Sequence, residues 1–132
     1  MKILFICKHN RFRSKAAEAI FNKLNKDKKV SDESAGIITD GSRPYISNNV
    51  IKIMKEKGYD ISGKPCKVDL NIINEYDILI IVADNVDKRL FDCYNGKVIQ
   101  WKIPDADESE YEKIKLIINK IEKEIKNLLL KI

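Results

Sequence analysis

The opening stretch Met1–Ala17, MKILFICKHNRFRSKAA, constrains this chain more than any other. Ile3-Leu4-Phe5-Ile6 is a short apolar run and predicts a buried strand. Cys7 follows at once, then five residues, then Arg13 and Ser14. From there Ala16, Ala17, Ala19 and Ile20 fall at helical spacing, with Lys15 and Glu18 between them. The stretch therefore predicts strand, tight loop and helix, with Cys7 at the strand's end and Arg13-Ser14 at the helix's start. A helix start carries unpaired N–H groups and the positive end of the helix dipole. A loop wrapped over such a start is an anion site. The same donors, with Arg13, favour the thiolate form of a cysteine. A thiolate beside a bound oxyanion is a nucleophile with its substrate in place.

At 132 residues the chain is sized for a single domain, residues 1–132, with one core. No apolar run approaches the ~20 residues of a membrane span, and the N-terminal one is too short for a signal peptide. No membrane partner and a cytoplasmic location are expected. Three cysteines, an odd number, argue against a disulfide framework, and a reduced compartment suits a thiolate. The net charge of +5 comes largely from lysines spread among a comparable number of acids. The basic stripe with interleaved aromatics that nucleic-acid binding needs is missing, so no nucleic-acid partner is expected.

The first helix is predicted over Ser14–Leu24, followed by a charged turn. Val30–Ala35 is a second strand, ending at Gly36. Strand, helix and strand make a βαβ unit, whose strands are parallel. Ser47 or Asn48 caps a helix with Val50, Ile51, Ile53 and Met54 on its apolar face, and Gly58 stops it. Val68–Tyr76 is a short helix or turn. Asp77–Val82 is the clearest strand, continuous and β-branched as a strand buried on both faces should be. Asn85 caps a helix through Phe91. Lys97–Trp101 is a fourth strand, closed by Pro104. From Glu108 the chain is one long helix, with Tyr111, Ile114, Ile117, Ile118, Ile121, Ile125, Leu128 and Leu129 at helical spacing. The expected fold is α/β: a three-layer α/β/α sandwich around a four-stranded parallel sheet.

The segment Cys7-Lys8-His9-Asn10-Arg11-Phe12-Arg13-Ser14 resembles the phosphate-binding loop of the low-molecular-weight protein tyrosine phosphatases and their relatives, the thioredoxin-coupled arsenate reductases. Ser34-Ala35-Gly36, Tyr59–Gly63 and Trp101–Ala106 are similar to further parts of that family, so the resemblance spans almost the whole chain. It implies the phosphotyrosine phosphatase I-like fold, with strand order 2-1-3-4 and the site at the carboxyl edge of the first strand. It also implies catalytic roles for Cys7 as nucleophile, Arg13 as a fork on two phosphoryl oxygens, and Asp105 as general acid. Lys8, His9, Asn10, Arg11, Phe12 and Ser14 would bind substrate or shape its loop. Ser14 would donate its hydroxyl to the Cys7 sulfur while also capping the helix. Asn10 would tie the loop and take the left-handed backbone it needs.

Three residues depart from the family pattern. His9 stands where Gly is usual, and a histidine costs energy there if its φ is positive. Phe12 stands where a second cysteine is frequent, and Ala106 where Pro follows the acid. Lys8, His9 and Arg11 make the loop cationic, which suits an anionic substrate. His9 is the only histidine and has no partners for a metal. Arg13 and the helix start supply the charge, so neither metal nor cofactor is expected.

The implied reaction is hydrolysis of aryl phosphate monoesters through a cysteinyl-phosphate. The substrate would be a phosphotyrosine-containing protein or a small aryl phosphate, and inorganic phosphate or another oxyanion would sit in the loop. Asp107 is the runner-up acid, and Tyr45 and Phe12 are candidate aromatic walls. The reductases relay a disulfide through two cysteines after the third strand. This chain has Ala83 at the first of those places and Leu90 or thereabouts at the second, with Cys93 nearby and Cys66 a passive thiol. The alternatives are an arsenate reductase using Cys7 with Cys93 or an external thiol, and a non-catalytic oxyanion-binding module.

Overall fold

β1 (Lys2–Cys7) and β3 (Ile78–Val82) hold the middle of the sheet because their residues are apolar on both faces. The computed structural model describes residues 1–132. Parallel pairing joins β2 (Ser31–Gly36) to β1, β1 to β3, and β3 to β4 (Lys97–Trp101). The resulting order, β2-β1-β3-β4, is the expected one.

The pleat of β1 sends alternate side chains to opposite faces. Ile3 and Phe5 pack with Ile20 of α1 (Arg13–Leu24), Ile53 of α2 (Asn48–Glu56) and Ile118 of α3 (Tyr111–Lys131). Leu4 and Ile6 pack with Ile73, Tyr76, Phe91 and Tyr94. All three α-helices thus cover one face. The opposite layer is thin, built from two 3₁₀ turns, Ile73–Glu75 and Lys88–Phe91, and the segments beside them. Each buried Ile or Leu contributes ~1.5–3 kcal/mol, so burial on both faces outweighs any helix's own propensity. No helix is long and apolar enough to cross a membrane.

Several local expectations are corrected. The last helix begins at Tyr111, because Glu108–Glu110 form a turn closed by the Glu110 N–H on the Asp107 carbonyl. The segment ending at Phe91 is a 3₁₀ turn capped by Asp87, whose side chain accepts the Arg89 N–H; Asn85 is used elsewhere. Ser14 is not the cap of α1, which starts at Arg13 with Phe12 at the cap position. Ser47 does stand at the cap of α2, but its hydroxyl makes no capping bond. Gly58 stops that helix as expected, at φ 88°, with the Tyr59 N–H on the Met54 carbonyl.

β1 and β2 end level with each other, Cys7 beside Gly36. A Cβ on Gly36 would lie 2.8–2.9 Å from backbone atoms of Lys8, His9 and Asn10. Only glycine lets β2 pass that close beneath the loop. The Ile37 and Ile38 N–H groups then donate to the Cys7 and Lys8 carbonyls, fastening the loop's start to the sheet edge.

Candidate active site

The chain leaves β1 at Cys7 and enters α1 at Arg13, so five residues make the whole turn. Asn10 takes the left-handed backbone, φ 55°, and is the only non-glycine residue that does. The strain considered for His9 therefore falls on Asn10, a residue that tolerates it. The Asn10 side chain ties the loop in three directions. Its Nδ2 donates to Ser14 Oγ at 2.7 Å and Ser34 Oγ at 3.1 Å, and its Oδ1 accepts the Cys66 N–H at 2.9 Å. Ser34 in turn donates to Glu18 at 2.6 Å. Ser14 Oγ lies 2.9 Å from the Cys7 sulfur. Each serine receives an N–H from Asn10, so each directs its own proton outward: Ser34 to Glu18, Ser14 to the sulfur. That geometry suits a thiolate at Cys7.

Arg13 is 2% exposed, with partners at both terminal nitrogens of its guanidinium. It donates to the Ile103 carbonyl at 3.0 Å and to Asn85 Oδ1 at 2.9 Å. The carboxylates of Asp84 and Asp105 stand 3.6 and 3.5 Å away. A buried arginine keeps its charge, and these acceptors compensate for its lost water. Cys7, Arg13 and Asp105 line one cleft of about 360 Å³, together with His9, Phe12 and Arg43. Asp105 is further held by accepting the Ala106 N–H at 2.9 Å. Asp107 lines the same cleft, but its carboxylate accepts both the N–H and the hydroxyl of Ser109. Those bonds hold its carboxyl below the usual range and make it a poor proton donor.

The remaining predicted residues divide by position. Asn10 and Ser14 lie behind Cys7, outside the cleft, and Lys8 also lies outside it. His9 lines the cleft, with its Nδ1 buried and unpartnered. Phe12 lines the cleft, whereas Tyr45 stacks on Arg11, 5.3 Å from guanidinium to ring centre. Arg11 also lines the cleft, but its guanidinium is bonded to the Tyr45 carbonyl and the Glu108 carboxylate, both at 2.9 Å. The loop is therefore less cationic than its residues suggest. Cys66 and Cys93 are exposed, and neither lines the cleft. Sequence reasoning did not assign site roles to Ser34, Asn85 and Glu108. Each reaches the loop through the fold, and nothing in the spacing from Cys7 marks them.

The sequence profile of the family described as low molecular weight phosphotyrosine protein phosphatase matches residues 2–132. The glutaredoxin arsenate reductase of Synechocystis is 26% identical, over 99% of this chain and 98% of that protein. The crystal structure of an arsenate reductase from Archaeoglobus fulgidus is 25% identical with a TM-score of 0.77, covering 96% of this chain and 98% of that one. A low molecular weight protein tyrosine phosphatase from T. tengcongensis shares the fold, with a TM-score of 0.87 and 24% identity over 100% of this chain and 99% of that one. With the sheet order and the turn from Cys7 into α1, the match over residues 2–132 shows that this chain belongs to the low molecular weight phosphotyrosine protein phosphatase family.

Proposed function

We propose that this chain hydrolyses aryl phosphate monoesters, protein phosphotyrosine among them, through a cysteinyl-phosphate. The observation that carries this reading is the meeting of Cys7, Arg13 and Asp105 in one cleft. Cys7 Sγ attacks phosphorus as the bond to the aryl oxygen breaks. Arg13 and the loop N–H groups take the phosphoryl oxygens, in a direction set by the bonds from Arg13 to Ile103 and Asn85. Asp105 gives its proton to the leaving oxygen. As a carboxylate it then takes a proton from the water that attacks phosphorus and releases phosphate. Ser14 stabilises the departing thiolate across 2.9 Å.

The test is hydrolysis of p-nitrophenyl phosphate with EDTA present. Cys7→Ser is expected to abolish turnover, and Asp105→Asn to slow it by about 10²–10⁴-fold, the range of general acid–base catalysis. Wild-type protein that binds phosphate or vanadate without turnover would reject the proposal.

A second reading, arsenate reduction, is supported by the names of the Synechocystis and A. fulgidus relatives. Cys7 would attack arsenic, and a further thiol would take arsenic from arsenate to arsenite while forming a disulfide. Since Cys66 and Cys93 lie outside the cleft, that thiol would come from solution. Arsenite production with an added thiol, unchanged in Cys66→Ala and Cys93→Ala, is the expected result of that reading.

A further inference from the structure

We propose that Arg11 and Glu108 are positioning residues for Asp105, holding its carboxyl group over Cys7. The proposal rests on the reading of Asp105 as proton donor. Asp105 lies in residues 102–110, between β4 and α3, where the chain forms no strand or helix. Something other than regular structure must therefore fix it. Two arginines of the Cys7 loop meet this stretch, one on each side of Asp105. Before it, Arg13 donates to the Ile103 carbonyl at 3.0 Å. After it, Arg11 donates to Glu108 at 2.9 Å.

The second tie is the more elaborate. Arg11 is 8% exposed, and its Nε is bonded to the Tyr45 carbonyl, so the guanidinium is fixed before Glu108 meets it. Glu108 also lies 3.7 Å from Arg43, and its backbone carbonyl accepts the Asn49 side chain at 2.7 Å. Asp107 and Glu110 are cross-bonded through both backbone and side chain, making 107–110 one stiff turn. Only Ala106 separates that turn from Asp105, so a shift of Glu108 carries to Asp105. Proton donation requires hydrogen-bond reach to the leaving oxygen, and small misplacements cost rate steeply. In this arrangement the loop that holds the phosphoryl group also sets where the acid stands.

The experiment compares kcat/KM on phenyl phosphate, whose leaving group needs a proton, with dinitrophenyl phosphate, whose leaving group does not. Glu108 is partly exposed, so Glu108→Gln is the primary variant, and Glu108→Ala, which removes the acceptor for Arg11 altogether, is the second. Each is expected to lower kcat/KM on phenyl phosphate by about tenfold or more and on dinitrophenyl phosphate by about twofold or less. Asp105→Asn/Glu108→Gln should be no slower than Asp105→Asn alone. Because the readout is a ratio within one preparation, partial unfolding cannot imitate it. An equal loss on both substrates, or an additive double variant, would overturn the positioning role. If Asp105→Asn itself fails to separate the two substrates, the proton-donor reading fails first, and the positioning role falls with it.

Discussion

Asn10 combines a backbone shape with a hydrogen-bonding side chain, and substitution can separate the two. Asn10→Ala removes three side-chain bonds and leaves an alanine at φ 55°. Asn10→Gly removes the same bonds without the steric cost. A left-handed alanine costs about 1–2 kcal/mol. Glycine's extra unfolded-chain entropy costs about 0.4–1 kcal/mol. Asn10→Gly is therefore expected to be the more stable of the two in urea unfolding. Both should lose activity, by about tenfold or more, because Ser14 is no longer oriented toward Cys7. Equal activity in Asn10→Gly and wild type would mean that the loop holds its shape without those bonds. Cys7, Asn10, Arg13 and Ser14 were legible in the sequence because they share one short loop, where spacing is geometry. Ser34, Asn85 and Glu108 were not, because strand pairing and helix packing bring them in from distant positions. The burial of Arg11 against Glu108 was hidden for the same reason.

At the scale of elements, the edge strand β2 carries an oddity. Both carboxylate oxygens of Asp32 are buried and unpartnered, with Glu18 of α1 and Glu33 nearby. Burial first, then those two charges, raise the Asp32 carboxyl from 3.8 to about 7. The folded state therefore holds a proton that the unfolded chain has already released. Stability from this group is fully present below pH 3.8, falls as pH rises, and is lost by about pH 7. Asp32→Asn should remove that slope and stabilise the protein above neutral pH by ~1–3 kcal/mol, a figure already reduced for the residue's partial exposure. Denaturant unfolding at acid and alkaline pH measures it, and parallel curves for the two proteins would show that Asp32 meets water in the folded state. α2 gives a second check. Ser47 occupies its cap without a capping bond, so Ser47→Ala should cost well under the ~1 kcal/mol usual for such a loss. Strands and helix faces were readable from periodicity, which reflects burial. Caps were less so: Ser14 is turned toward Cys7 and Asn10, and Asn85 toward Arg13, while Ser47 stands at the expected start of α2 without a capping bond.

For the whole molecule, the site is an assembly of separate parts of the chain. The cleft draws on the Cys7 loop, on Arg43, Ser47 and Val50 around the start of α2, and on Asp105 to Ile114 across the start of α3. A ligand that bridges such parts binds the folded chain and not the unfolded one, so it must raise the melting temperature by mass action. At one hundred times its dissociation constant the gain is about 2.7 kcal/mol. For a domain of this size each kcal/mol raises Tm by roughly 3–5 °C. Phosphate also stabilises proteins in general, through exclusion from their surfaces, and that effect grows steadily with concentration without saturating. Site binding should instead saturate, and vanadate should produce it at far lower concentration. Arg13→Lys keeps a positive charge but loses the planar fork and its bonds to Ile103 and Asn85. It is expected to lose the saturating rise and keep the slow one, whereas Glu108→Gln should keep both. A saturating rise of equal size in Arg13→Lys would place the anion somewhere other than the loop between Cys7 and α1.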